Sequence, residues 1–139
     1  MIYEAKVQYR KTDDDGIERL HKEWYAIENC ECFAQVEELL YETFNYDNYK
    51  DVDVTDIKRS KIKELANSSP MNYETVYMAE LKDIFHKDDG TEKEIKYKII
   101  FFAGNFDRAK EFISEYIEQG YNMLLVSLKE TKFVDVLNG

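Results

Sequence analysis

One stretch of this chain returns later in altered form. Tyr3-Glu-Ala-Lys-Val7 leads to Asp14-Asp-Gly16, and Tyr77-Met-Ala-Glu-Leu81 leads at the same spacing to Asp88-Asp-Gly90. The echo continues through Ala26-Ile-Glu-Asn29 against Phe102-Ala-Gly-Asn105. It ends with Ile57-Lys-Arg-Ser-Lys-Ile62 against Leu128-Lys-Glu-Thr-Lys-Phe133. Self-similarity on this scale means that one supersecondary unit is used twice. It fixes the organisation of the chain and leaves the chemistry open.

Periodicity supplies the unit. Over residues 2–10, Tyr3, Ala5, Val7 and Tyr9 alternate with Glu4, Lys6, Gln8 and Arg10, the period of a strand with one buried face. Asp and Gly in Thr12-Asp-Asp-Asp-Gly16 are turn residues, so a second strand over 18–27 makes a hairpin. Asn29 offers a helix start, and Phe33, Val36, Leu40 and Phe44 follow at helical spacing. A third strand runs through Val52, Val54 and Ile57 toward Ile62. The second copy replays this order with strands over 75–85 and 93–103. A helix over 105–119 turns Ala109, Phe112, Ile113 and Tyr116 inward and stops at Gly120. A last strand covers 123–130, and 133–137 extends it or forms a short extra one. The fold predicted is α+β, an internal duplication of a ββαβ unit with two helices packed on about six mostly antiparallel strands. Its boundaries are a first repeat over 1–66, a linker over 67–74 around Pro70, and a second repeat over 75–139, together one compact pseudo-symmetric domain.

The chain carries 29 acidic against 19 basic residues, a formal charge of -10, which repels polyanions at long range and suits a partner with a basic surface. No apolar run approaches the roughly 18 residues that span a bilayer, so no membrane partner is expected. The first residues lack the basic-then-apolar order of a secretory signal. Cys30 and Cys32 are the only cysteines and make no disulfide framework. The location these features predict is the cytoplasm of a bacterium or of an infected host cell.

The opening Tyr3-Glu-Ala-Lys-Val-Gln-Tyr9, the stretch Val54-Thr-Asp-Ile-Lys-Arg-Ser-Lys61 and the closing Val126-Ser-Leu-Lys-Glu-Thr131 and Val134-Asp-Val136 carry a family likeness. Together they resemble the "domain of unknown function 4494" proteins of gut bacteria and their phages, over nearly the whole chain. Members often place Ser then Phe at the start of the first helix, where this chain has Asn29-Cys-Glu-Cys32. The resemblance lends no catalytic residues. It implies a small accessory protein of phage or mobile-element type.

Candidate chemistry is sparse. Cys30-Glu-Cys32 lacks the further ligands and spacing of zinc or thiol-redox sites and reads as a buried structural pair. The acidic hairpin turns lack the spread ligands and closing glutamate of a calcium loop and read as turns. No nucleophile elbow, P-loop, HExxH or dinucleotide fingerprint occurs, and the two histidines stand near no obvious nucleophile. Glu37-Glu38 reads as the solvated side of the first helix. The expectation is a protein that is not an enzyme, with no catalytic residue, metal or cofactor.

Two surfaces remain. Tyr41, Tyr46, Asp47, Tyr49 and Asp51 mix aromatic anchors with carboxylates in the corner after the first helix, with no counterpart in the second copy. They suit docking on a basic groove of a host or phage protein, or they pack locally to close the loop. The alternative is a single-stranded nucleic-acid module built on Lys58, Arg59, Lys61, Lys96 and Lys98, with Lys6, Gln8, Arg10 and Lys82 on one sheet face and Trp24, Tyr25 and Tyr97 as stacking platforms. Read plainly, those lysines are charge alternation that guards a sheet edge. A third reading is a self-associating structural protein, a homo-oligomer joined through exposed edge strands.

Overall fold

The computed structural model describes residues 1–67, 74–120 and 123–139. Within them the chain forms β1 (Tyr3–Thr12), β2 (Glu18–Glu28), α1 (Phe33–Thr43), β3 (Lys50–Arg59), β4 (Ile62–Leu65), β5 (Thr75–His86), β6 (Glu92–Ala103), α2 (Phe106–Glu118), β7 (Met123–Glu130) and β8 (Phe133–Asn138). The fold is α+β, with two mixed four-stranded sheets ordered β3-β1-β2-β8 and β4-β6-β5-β7. Each sheet belongs to one compact unit: Met1–Ser60 with Phe133–Gly139, and Lys61–Lys132.

In the first unit β1 and β2 pair antiparallel from Tyr3 opposite Ile27 to Thr12 opposite Glu18. The turn closes through Gly16, whose φ of 80° is the left-handed geometry that favours glycine. Alternation sends Tyr3, Ala5, Val7 and Tyr9 to one face, where Tyr25, Ile27 and the helix residues Val36, Leu40 and Phe44 complete a buried cluster. Leu40 is fully buried, so Leu40→Ala is expected to cost about 2–5 kcal/mol of stability, read by denaturant unfolding. Phe33 does not join the buried side: it is 48% exposed and meets Tyr3 edge-on at 5.5 Å. Nor does Asn29 cap α1. The N-cap is Cys32, and Asn29 takes a left-handed φ of 62° while its amide donates to Asn138 Oδ1. Asn tolerates that geometry better than most residues do.

The second unit repeats these connections. β5 and β6 pair antiparallel around a turn with Gly90 at φ 83°. Tyr77, Ala79, Leu81, Ile99, Phe101 and Ala103 pack with Ala109 and Ile113 of α2, while Phe112 and Tyr116 are half-buried beside them. Here the asparagine does cap: Asn105 Oδ1 accepts from Arg108 N at 2.9 Å.

Eight strands are present among the described residues where about six were expected. Four of the six pairings are antiparallel, in keeping with the mostly antiparallel expectation, and the two parallel ones make both sheets mixed. The stretch read as one strand through Ile62 breaks at Ser60-Lys61, and of the two readings of 133–137 the short extra strand is the one present, after a break at Thr131-Lys132. At each break the chain leaves one unit for the other. β4 runs parallel to β6, and β8 runs parallel to β2. Matching hydrogen bonds hold the two breaks: Ser60 N donates to Ile2 O at 2.8 Å, and Thr131 N to Val76 O at 3.0 Å. Ile62 and Phe133, the first residues beyond, are both buried. Of the linker expected over 67–74, residues 68–73 lie outside the described residues.

Candidate functional site

The corner between α1 and β3 encloses an open cleft of about 690 Å³. α1 ends when Phe44, buried at 5% exposure, turns under the sheet. There its ring meets Tyr49 edge-on at 5.1 Å, and Tyr49 meets Tyr9 edge-on at 4.9 Å. Phe44 and Tyr49 of this aromatic cluster line the cleft. Tyr41 is set from the helix side, its hydroxyl accepting from Val54 N at 3.2 Å. Tyr46 stands out from the loop at 67% exposure. Lys11 Nζ lies 5.2 Å from the Tyr49 ring centroid, so a cation already occupies one aromatic face here.

The acidic wall is Glu38, Glu42 and Asp47. Glu38 and Glu42 are one helical turn apart, a spacing at which like charges repel, and Glu42 sits in a last turn that holds no basic residue. None of the three makes an ion pair among the described residues. The same two glutamates line a smaller cleft of about 270 Å³ together with Asn29, Cys30 and Leu39.

Of the residues singled out from the sequence, Tyr41, Tyr46, Asp47 and Tyr49 come together around the cleft. Asp51 does not: it has a φ of 53°, is exposed, and faces Arg10 at 3.9 Å. The sequence reads Glu38, with Glu37, as solvated helix surface and Phe44 as part of the helix's apolar side, and it does not single out Glu42. The signal for the glutamates was their four-residue spacing at a helix C-terminus without a lysine to offset them.

The basic set is divided between the two units. Lys58 and Arg59 belong to the first unit, whereas Lys61, Lys96 and Lys98 belong to the second. Neighbours in a strand face opposite ways. Lys58 therefore lies 5.8 Å from the Trp24 ring, with Lys6 at 5.9 Å from the same ring, while Arg59 lies 5.9 Å from Phe33 beside α1. Tyr97 sits between Lys96 and Lys98 in β6, so it packs on the helix side while they face away. Tyr25 is buried in the core. Tyr25 is therefore closed off as the stacking platform the sequence suggested, whereas Tyr97 is only partly buried and has Lys63 Nζ 4.4 Å from its ring centroid.

Beside the cleft floor, Tyr9 and Tyr25 both donate to Glu23, and His21 stacks on Tyr9 with its Nε2 3.0 Å from Asp13 Oδ1. Burial, followed by the hydrogen bond to Glu23, raises the Tyr9 phenol far above its usual range. Burial, followed by the Glu23 charge, does the same for Tyr25. Phenols held so firmly protonated brace the core and release no proton near neutral pH. Asp13 and Asp15 are held below the usual carboxylate range, chiefly by hydrogen bonds from Arg19, which accounts for the acidic hairpin turn.

Both cysteines are free. Cys30 is buried, and that burial raises its thiol pKa, but Cys32 is exposed rather than buried, because as N-cap it precedes the first helical turn. Among the described residues, no three His, Cys, Asp or Glu side chains gather as a metal site. No helix of the described residues is long and apolar enough to cross a membrane.

Comparison with the curated proteins finds no match, and neither does comparison with the solved structures. The likeness carried by the opening strand, the stretch after α1 and the closing strands holds across the chain: residues 1–139 match the family described as a domain of unknown function (DUF4494), and the chain belongs to that family.

Proposed function

We propose that this is a non-enzymatic binding protein whose acidic, tyrosine-lined cleft receives lysine or arginine side chains from a basic protein partner. The observation that carries this reading is the set of uncompensated carboxylates, Glu38, Glu42 and Asp47, around Tyr41, Tyr46 and Tyr49. Like charges one turn apart at the negative end of a helix weaken that helix. A bound cation removes the conflict, with the ring faces and carboxylates adding cation–π and charge-assisted contacts. In the setting the family resemblance implied, a phage or mobile-element accessory protein in a bacterial cytoplasm, the partner is a host or phage protein that handles nucleic acid. The carboxylates then stand where phosphates would, and binding inhibits the partner. The matched order of the two units further supports reading them as copies of one ancestral ββαβ unit.

The test uses an oligolysine and an oligoarginine peptide, with binding measured by calorimetry. Glu42→Lys is expected to weaken binding tenfold or more, corresponding to at least about 1.4 kcal/mol. The same substitution is expected to stabilise the fold by about 0.5–1 kcal/mol, because it places a cation at a helix C-terminus. Glu115→Lys, an exposed change on α2, should leave binding as it was. Equal losses from both variants would reduce the attraction to net charge and end the proposal.

A second reading, binding of single-stranded nucleic acid, is favoured by one observation: Lys6 and Lys58 both approach the Trp24 ring. It calls for a salt-dependent oligonucleotide shift that Lys58→Glu abolishes.

A further inference from the structure

β3 and β7 hold the same place in their sheets: each is an edge strand paired with the first strand of its hairpin. Both also break register by one residue, skipping Thr55 in β3 and Val126 in β7. Their open edges are treated differently. β3 reads Lys50-Asp-Val-Asp-Val-Thr-Asp-Ile-Lys-Arg59, with charges distributed along its length. Such charges keep an edge from pairing with another chain. β7 reads Met123-Leu-Leu-Val-Ser-Leu-Lys-Glu130 and has no charge over its first six residues. Leu124, Leu125 and Val126 are 47%, 42% and 45% exposed in consecutive positions. A neutral, β-branched and aliphatic edge of this kind is a template for strand addition.

We propose that the occupant of this edge is a second copy of the chain, its β7 added antiparallel to the first across a two-fold axis. The stretch is complementary to its own reverse. Centring the axis between Leu125 and Val126 sets Leu125 against Val126, Leu124 against Ser127 and Met123 against Leu128, with no charge buried anywhere. This is the isologous arrangement of a two-fold dimer. Charge also argues for a copy over a basic partner. A basic strand finds no carboxylate over Met123–Leu128 to meet, whereas two such neutral stretches meet without desolvating an ion. The pairing joins the two sheets into one of eight strands and covers the exposed leucines. It uses a surface apart from the acidic cleft and does not depend on cation binding there.

The test is the molar mass of the full chain in solution, measured by light scattering and sedimentation over a wide concentration range. The expected result is a rise from the 16.6 kDa of one chain toward twice that value as concentration increases. Leu125→Lys places two ammonium groups near the axis and is expected to weaken dimerisation by about a hundredfold or more, with circular dichroism unchanged. Thr55→Lys, at the position of β3 that matches the adjacent Val126, should leave the dimer intact. In a Cys32→Ser background, Val126→Cys should cross-link to dimers on mild oxidation. A wild-type chain that stays at 16.6 kDa throughout would overturn the proposal, leaving the edge to a foreign strand or to none. So would a dimer that survives Leu125→Lys, or one that Thr55→Lys dissolves equally.

Discussion

A chain cut after Lys132 is expected to lose the first unit while keeping the second. The seven residues removed carry β8, which pairs parallel with β2 from Trp24 to Glu28. With them go the buried Phe133 ring, the Leu137 contact with the first core, and the bond from Gly139 N to Glu28 O. Phe133→Ala alone should cost about 3–5 kcal/mol, a large part of the 5–15 kcal/mol that stabilises a typical domain. Residues 61–132, by contrast, hold four strands and α2 in one uninterrupted segment. Hydrogen exchange read by mass spectrometry checks the contrast. In the shortened chain, peptides of β1 and β2 should exchange rapidly while those of β5 and β6 stay protected. Unchanged protection in β2 would mean that β8 adds little.

The second large effect is alkaline unfolding. Tyr9 and Tyr25 bind their protons more tightly in the folded chain than in the unfolded one, for which the phenol pKa is about 10. Below that pH both states are protonated and the shift has no effect. Above it the unfolded chain releases protons that the folded chain retains, so stability falls as pH rises. Each of the two buried phenols contributes about 1.4 kcal/mol per pH unit, together enough to exhaust an ordinary domain within a few units. In the second unit Tyr97 and Tyr116 are raised in the same direction, in both cases chiefly by burial. The expected titration shows a step in tyrosinate absorbance that coincides with loss of circular dichroism. Tyr25→Phe should reduce the fall in stability by about 1.4 kcal/mol per pH unit. Full ionisation with the fold intact would contradict this account.

The hairpins were readable because their signals are local. Asp and Gly mark the turns, and period two marks β1 and β5 to within two residues of their observed bounds. The buried sides of both helices were readable at Val36, Leu40, Ala109 and Ile113 for the same reason. The assignment of β4 and β8 was not. A short strand such as Ile62–Leu65 shows its alternation but carries nothing that names its sheet, and its partner β6 begins 27 residues beyond its last residue. At the cleft, the tyrosines announced themselves by composition. Of the glutamates that complete it, Glu38 looked like any helix surface until the absence of an ion pair to it among the described residues was visible.

The two crossings also order events in time. Residues 1–60 are made first, yet their sheet stays incomplete until β8 emerges, after the 72 residues from Lys61 to Lys132 have been added. At 5–20 residues per second that interval is roughly 4–14 s. Throughout it the β2 edge that will receive Phe133 stands unpaired. The unit synthesised first is therefore the last to be finished, and the second unit can close while the first still waits. Slow translation lengthens this exposure, so the yield of folded protein should depend on the rate of elongation and on chaperones that shield an open strand.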